Sequence, residues 1–149
     1  MKFEQTIDLP GVPPEKVWAF VMDVPSMAKC IPGCDGVEDL GGDKYKAVVK
    51  IKVGPIGLAL ASEISIVEKD EVNKTASLLV EAADKRVGGA VKATMSMKLT
   101  SEGDGSKLEV VTDANVMGRI GDFGQPIIRK KADQTLQEVA ANLRKELAA

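Results

Sequence analysis

The chain has 149 residues, 28% of them charged, a formal net charge of -2 and no histidine. That length suits a single domain, 1–149, with a core of its own, and the near-balanced charge, with no basic helix or groove motif, leaves nothing to argue for nucleic acid. Without histidine the usual general base near neutral pH and the commonest metal ligand are both missing, so most hydrolase and metal-site readings lose their main actor.

Alternation of Phe3, Gln5, Ile7 and Leu9 predicts a strand over 2–9, broken at Gly11. Pro13, Pro14 and Glu15 open a short helix carrying Val17, Trp18, Phe20 and Val21, which Asp23 and Pro25 close. A second short helix over 25–30 stops at Pro32 and Gly33. Six strands are expected next, over 36–40, 44–53, 58–68, 75–84, 90–100 and 107–117. The breaks between them are short and imply antiparallel neighbours, because a parallel pair needs a crossover of about a dozen residues or more.

From Leu136 onward, Val139, Ala140, Leu143 and Leu147 recur at helical spacing opposite Gln137, Glu138, Arg144 and Lys145, so the chain ends in an amphipathic helix. Projected backwards, the stripe passes through Ala132 and Ile128 to Arg129 and Gln125, while Ile120, Phe123 and Ile127 fall on nearly the opposite face. The apolar face turns near Pro126, which is either a first-turn proline or a kink. The expected architecture is α+β: a curved seven-stranded antiparallel sheet wrapped around a long C-terminal helix, with two short helices after the first strand. The first turns of that helix are expected over one end of an internal cavity.

Period-two reading assigns the faces. Tyr45, Ala47, Val49, Ile51 and Val53 oppose Lys44, Lys46, Lys50 and Lys52; Val91, Ala93, Met95, Met97 and Leu99 oppose Lys92, Thr94, Ser96 and Lys98. Leu108, Val110, Thr112, Ala114 and Val116 oppose Lys107, Glu109, Asp113 and Asn115. Polar residues on the apolar face are few: Tyr45, Ser62 and Thr112. Asp84, in phase with Leu78, Val80 and Ala82, is the one carboxylate that the pattern turns inward, at a strand end. With aromatics at 3% and small side chains in their place, the interior reads as a place to hold something apolar, with no catalytic residue and no metal site assigned. Its expected lining comprises Tyr45, Val49 and Ile51, then Leu60, Ser62 and Ile64, then Leu78 and Val80. Met95 and Met97, Val110 and Thr112, and finally Phe123 and Ile127 complete it.

Cys30-Ile31-Pro32-Gly33-Cys34 is half of a zinc site at most and reads mainly as a turn after the second helix. Gly54-Pro55-Ile56-Gly57 reads as an apolar hairpin tip, tucked against the last helix or forming a pocket lip. The lysine stripe is a solvated face that also suits an acidic partner or an anionic membrane surface. Gly118, Gly121 and Gly124 lack the context of a dinucleotide fingerprint and suit close packing or hinge flexibility before the last helix. No uncharged run approaches the ~20 residues that cross a bilayer and no signal-peptide pattern is present, which implies a cytoplasmic location.

In this order of elements, Val17-Trp18-Ala19-Phe20, Cys30-Ile31-Pro32-Gly33-Cys34, Gly54-Pro55-Ile56, Gly88-Gly89-Ala90-Val91-Lys92-Ala93 and Val116-Met117-Gly118-Arg119 resemble the CoxG family. CoxG is a subunit of carbon monoxide dehydrogenase systems, and its family lies within the START and Bet v 1-like (SRPBCC) superfamily. The likeness covers nearly the whole chain. The resemblance implies a helix-grip fold with an apolar cavity. It also implies a non-catalytic accessory of a molybdenum hydroxylase system, without a tightly bound cofactor, holding an isoprenoid quinone or lipid. Implied partners are a hydrophobic small molecule, a dehydrogenase complex and, by peripheral contact, the inner face of the membrane. The sequence departs from the family pattern at Leu58-Ala59-Leu60, where a more basic and aromatic stretch is expected. It also ends at Ala149 without the extension through which some relatives are expected to reach the membrane. Two rivals remain open: a polyketide cyclase or aromatase-like enzyme on the same scaffold, and a ligand-free assembly factor with a filled interior.

Overall fold

Residues 1–148 are described by the computed structural model, and seven strands among them make one antiparallel sheet. The elements are β1 (Lys2–Leu9), α1 (Pro14–Val21), α2 (Val24–Ala28), β2 (Cys34–Gly41), β3 (Lys44–Val53), β4 (Ile56–Asp70), β5 (Thr75–Asp84), β6 (Gly89–Glu102) and β7 (Gly105–Gly118). A short 3₁₀ helix (Arg119–Phe123) then leads into α3 (Gln125–Ala148). Strand order is β1-β7-β6-β5-β4-β3-β2, so the chain starts at one edge of the sheet and α1 and α2 carry it across to the other. From β2 onward each strand pairs with the next, as short breaks require.

The strands outrun their predicted ends because the hairpins stay paired up to the turn: Val53 faces Ile56, and Glu102 faces Gly105. The second short helix, by contrast, ends at Ala28 rather than at residue 30. Residues 30–34 form the turn instead, and Gly33 decides it. Its φ is +82°, and a Cβ there would collide with the Lys50 carbonyl, so only glycine fits. The Gly33 carbonyl accepts from the Lys50 amide at 2.9 Å, and Asn142 Nδ2 donates to the Cys30 carbonyl at 2.9 Å. The turn is thereby braced between the sheet edge and α3. Cys30 and Cys34 are both free thiols.

Pro126 lies in the first turn of α3, where no intrahelical partner exists for the missing amide. The turn of the apolar face thus coincides with the start of the helix and involves no kink. Upstream, Gly89 pairs with Gly118 across β6 and β7, and a Cβ on Gly89 would lie 2.6 Å from Ile120 Cγ1. This bare patch of backbone lets the 3₁₀ helix fold onto the sheet and bury Ile120.

The core has two parts. The larger joins β1, α1 and the C-terminal half of α3 through Ile7, Val17, Trp18, Leu108, Ala140, Leu143 and Leu147. The smaller, at the opposite end of α3, consists of Val53, Leu58 and Ile120, with Phe123 and Val87 packed against it. Along its length α3 is tied to edge strand β1. Arg129 donates to the Lys2 carbonyl at 3.2 Å, Gln5 to the Leu136 carbonyl at 3.0 Å and Arg144 to the Asp8 carbonyl at 3.2 Å. The Arg129 guanidinium also stands 4.6 Å over the Phe3 ring.

Candidate functional site

Between the two clusters, the face of α3 carrying Ile128, Ala132 and Leu136 does not reach the sheet, and a cavity of about 290 Å³ remains. Its floor is formed by alternate residues of neighbouring strands, among them Ile51, Leu60, Ala93, Met95 and Ala114. Period-two geometry explains the collection, since the inward face of β1, β3, β4, β6 and β7 supplies it. Val53, Leu58 and Ile120 belong both to the lining and to the smaller cluster, so that cluster closes one end. Small residues leave the hollow: Ala93 and Ala114 pair directly across β6 and β7, and Ala132 faces them from the helix. The polar side chains of the lining are Thr112, Thr135 and Lys131.

Of the predicted lining residues, Ile51, Leu60, Met95 and Thr112 meet here. Val49, Ile64, Leu78 and Val80 stand half-buried on the same sheet face, outside the cavity wall. Met97 and Val110 pack against the larger cluster and Phe123 against the smaller, so these three are core. Ile127 is 52% exposed and points away, as its position opposite the Ile128 stripe requires. Ser62 is buried and donates to the Leu60 carbonyl at 3.1 Å, outside the lining. Tyr45 opens into a separate groove beside Trp18, Met22 and Ile66. The residues that the expected lining omitted, chiefly Ala93, Ala114 and Ala132, are wall because they are small; their signal was in the alternation, which had already turned Ala93 and Ala114 inward.

The groups with acid-base or nucleophilic character are committed elsewhere. Asp84 is buried, and its carboxylate accepts from the amides of Val87 at 3.0 Å, Ala59 at 2.9 Å and Arg86 at 2.9 Å. Those bonds, the Val87 amide first and then Ala59, hold its carboxyl below the usual carboxylate range against the opposing effect of burial. It clamps the β5–β6 turn to β4. A depressed native value contributes stability that is fully present above the unfolded value of about 3.9 and is lost as pH falls through the native one. Asp84→Asn puts an amide donor where one amide now donates, and is expected to lower Tm by several degrees at pH 7. In thermal melts read by circular dichroism the gap from the parent should close below about pH 4; a gap that persists there would remove the carboxylate from the account.

Burial, then the carboxylates of Asp39, Asp43 and Asp23, push the Tyr45 phenol up, so it remains protonated near neutral pH. Burial, then Glu146, pushes the Cys30 thiol up, away from the reactive thiolate. Among the described residues no cluster of three His, Cys, Asp or Glu side chains is placed to hold a metal ion. Among them, too, no helix is long and apolar enough to cross a membrane. The hairpin tip packs through its flanks, since Val53 and Leu58 touch Ile120, while Ile56 is 38% exposed.

The family model for the CoxG subunit of carbon monoxide dehydrogenase matches residues 11–148. Among solved structures, a conserved protein from Geobacillus kaustophilus is similar at 28% identity and a TM-score of 0.89, covering 99% of this chain and 95% of its own. The Zhui aromatase/cyclase from Streptomyces sp. R1128 is similar at 14% identity and a TM-score of 0.69, with 99% of this chain and 93% of that one covered. Ara h 8.0201 is similar at 20% identity and a TM-score of 0.69, with coverage of 99% and 97%. The last two likenesses show the shared Bet v 1-like fold alone. No curated protein sequence is significantly similar to the chain.

Proposed function

Because this chain belongs to the CoxG family of carbon monoxide dehydrogenase subunits, we propose that it is a binding or carrier protein. It holds the apolar part of a quinone or lipid between sheet and α3 and serves a molybdenum hydroxylase such as carbon monoxide dehydrogenase. The observation that carries this reading is the cavity: about 290 Å³, lined by apolar side chains apart from Thr112, Thr135 and Lys131. Apolar burial at ~25 cal/mol per Å² supplies affinity for such a guest without any charged contact. A liquid water occupies about 30 Å³ and a methylene close to that, so the space takes roughly ten carbon-sized groups. That suits a quinone head or a short length of acyl or isoprenoid chain; the remainder of a long tail would leave through the wall. Thr112 is the hydroxyl available to a carbonyl head.

The lining also supports binding over turnover, since Asp84 and Tyr45, the two groups a cyclase-like chemistry would call upon, lie outside it. In this reading the protein works in the cytoplasm, loading from the inner face of the membrane. Native mass spectrometry after gentle purification is expected to find a co-purified lipid or quinone, or uptake of added menaquinone at one molecule per chain. A clean apo mass that no added menaquinone or lipid shifts would refute the carrier role.

A further inference from the structure

One end of the sheet is basic around an apolar tip. Here β3 turns into β4 through Gly54 and Pro55, β5 turns into β6, and β7 passes through the 3₁₀ helix into α3. Lys50, Lys52 and Arg86 border one shallow depression beside the β3–β4 hairpin, and Arg86 donates to the Gly57 carbonyl. Lys85 and Arg119 are exposed on the two neighbouring connections, which the Arg119 amide joins by donating to the Gly88 carbonyl at 2.7 Å. Among the described residues none of these five cations is in an ion pair. Asp84 is buried on three amides, which leaves Asp122 as the exposed carboxylate of these connections. The far end has the opposite sign. In its connections, 41–44, 70–75 and 102–105, Asp43, Asp70, Glu71, Glu102 and Asp104 outnumber Lys44 and Lys74.

The uncharged tip stands beyond the cations of its own strand, since Lys52 and Lys50 precede Gly54 by two and four residues, about 7 and 13 Å along an extended chain. Gly54, Pro55 and Ile56 are exposed, and so is Ile127 in the first turn of α3. Val72 at the far end is more exposed still, but it stands beside Asp70 and Glu71, which an anionic surface repels. An apolar tip backed by cations matches an anionic bilayer, whose acyl boundary takes the first and whose headgroups take the second. An acidic protein would satisfy the cations alone. We propose that this end of the molecule docks on an anionic bilayer, with Pro55, Ile56 and Ile127 at the acyl boundary and Lys50, Lys52 and Arg86 among the headgroups. The smaller cluster, which closes the cavity at this end, then faces lipid, and an apolar guest moves between bilayer and cavity without crossing water. The proposal rests on the carrier reading above and names the surface at which the guest is exchanged.

Sedimentation with vesicles of phosphatidylcholine, alone or mixed with phosphatidylglycerol, tests the docking. The parent should bind the mixed vesicles at least about tenfold more tightly, and added salt should erase the difference. Each cation near such a surface strengthens attachment about fivefold, so Lys50→Gln/Lys52→Gln should weaken binding about 25-fold. Lys44→Gln/Lys46→Gln makes the same charge change on the same face of the same strand, toward the other end, and should weaken it by less than about threefold. Ile56→Ser should also weaken it several-fold at unchanged charge. Far-ultraviolet circular dichroism checks that the variants are folded. Equal losses from the two lysine pairs, no loss in Ile56→Ser, or no preference of the parent for the anionic vesicles would overturn docking through this end. Uptake of added menaquinone in native mass spectrometry would still leave the carrier reading intact, whereas failure of both measurements would overturn both.

Discussion

The double variant Ala93→Leu/Ala132→Phe is expected to lose binding of apolar ligands by at least about a hundredfold, or ~2.7 kcal/mol, while melting no earlier than the parent. Ala132 projects from α3 toward the floor that contains Ala93, so the two enlargements grow into one space. In a packed core such an insertion forces neighbours off their rotamers and costs about 1–3 kcal/mol. In a hollow it replaces empty volume with contacts and is neutral or stabilising. Titration with a lipid or menaquinone reads the first half of the result, and a thermal melt the second. A sharply lowered Tm would mean that the space is already occupied by side chains, and the carrier account would fall with it.

Leu143→Ala should destabilise the protein by about 3–4 kcal/mol, whereas Leu136→Ala should cost only about 1 kcal/mol. Both residues lie on one stripe of α3. Leu143 is 1% exposed and sits in the larger cluster, so its removal deletes contacts on every side and leaves a new void. Leu136 lines the existing cavity and has fewer contacts to lose. The spread in cost for one chemical change reflects how well each site is packed. Urea unfolding with fixed slopes measures the difference; equal costs at the two positions would contradict the division of the core into a solid and a hollow half.

The fold was legible because its signals are periodic. Alternation fixed which strand residues face α3, and short Gly- and Pro-marked breaks fixed antiparallel neighbours. Helical spacing from Leu136 to Leu147 fixed the face of α3 that is buried. The Bet v 1-like arrangement of these elements followed from the motif resemblance and is the arrangement observed. The cavity wall was less legible, because facing inward and lining a void differ in a third dimension that period-two reading cannot sense. Val49, Ile64, Leu78 and Val80 face the right way but lie outside the wall. Met97 and Val110 do too, but α1 and the end of α3 cover that region with a solid core. Ile127 was misplaced because its phase was carried on from Phe123 across Gly124, although the 3₁₀ segment and α3 are separate helices with no shared phase. The end of α2 was overrun because the special backbone of Gly33 is set by contact with Lys50, a residue distant in sequence.

The separation of a solid cluster under the end of α3 from a void under its start bears on how such a chain can diverge. Folding depends mostly on Trp18, Leu143 and their neighbours, so drift at Ala93, Met95, Ala114 or Ala132 is expected to change which guest is accepted long before it endangers the native state. A lineage built this way can explore new ligands by single steps, each tolerated, under selection that acts on recognition and hardly at all on architecture.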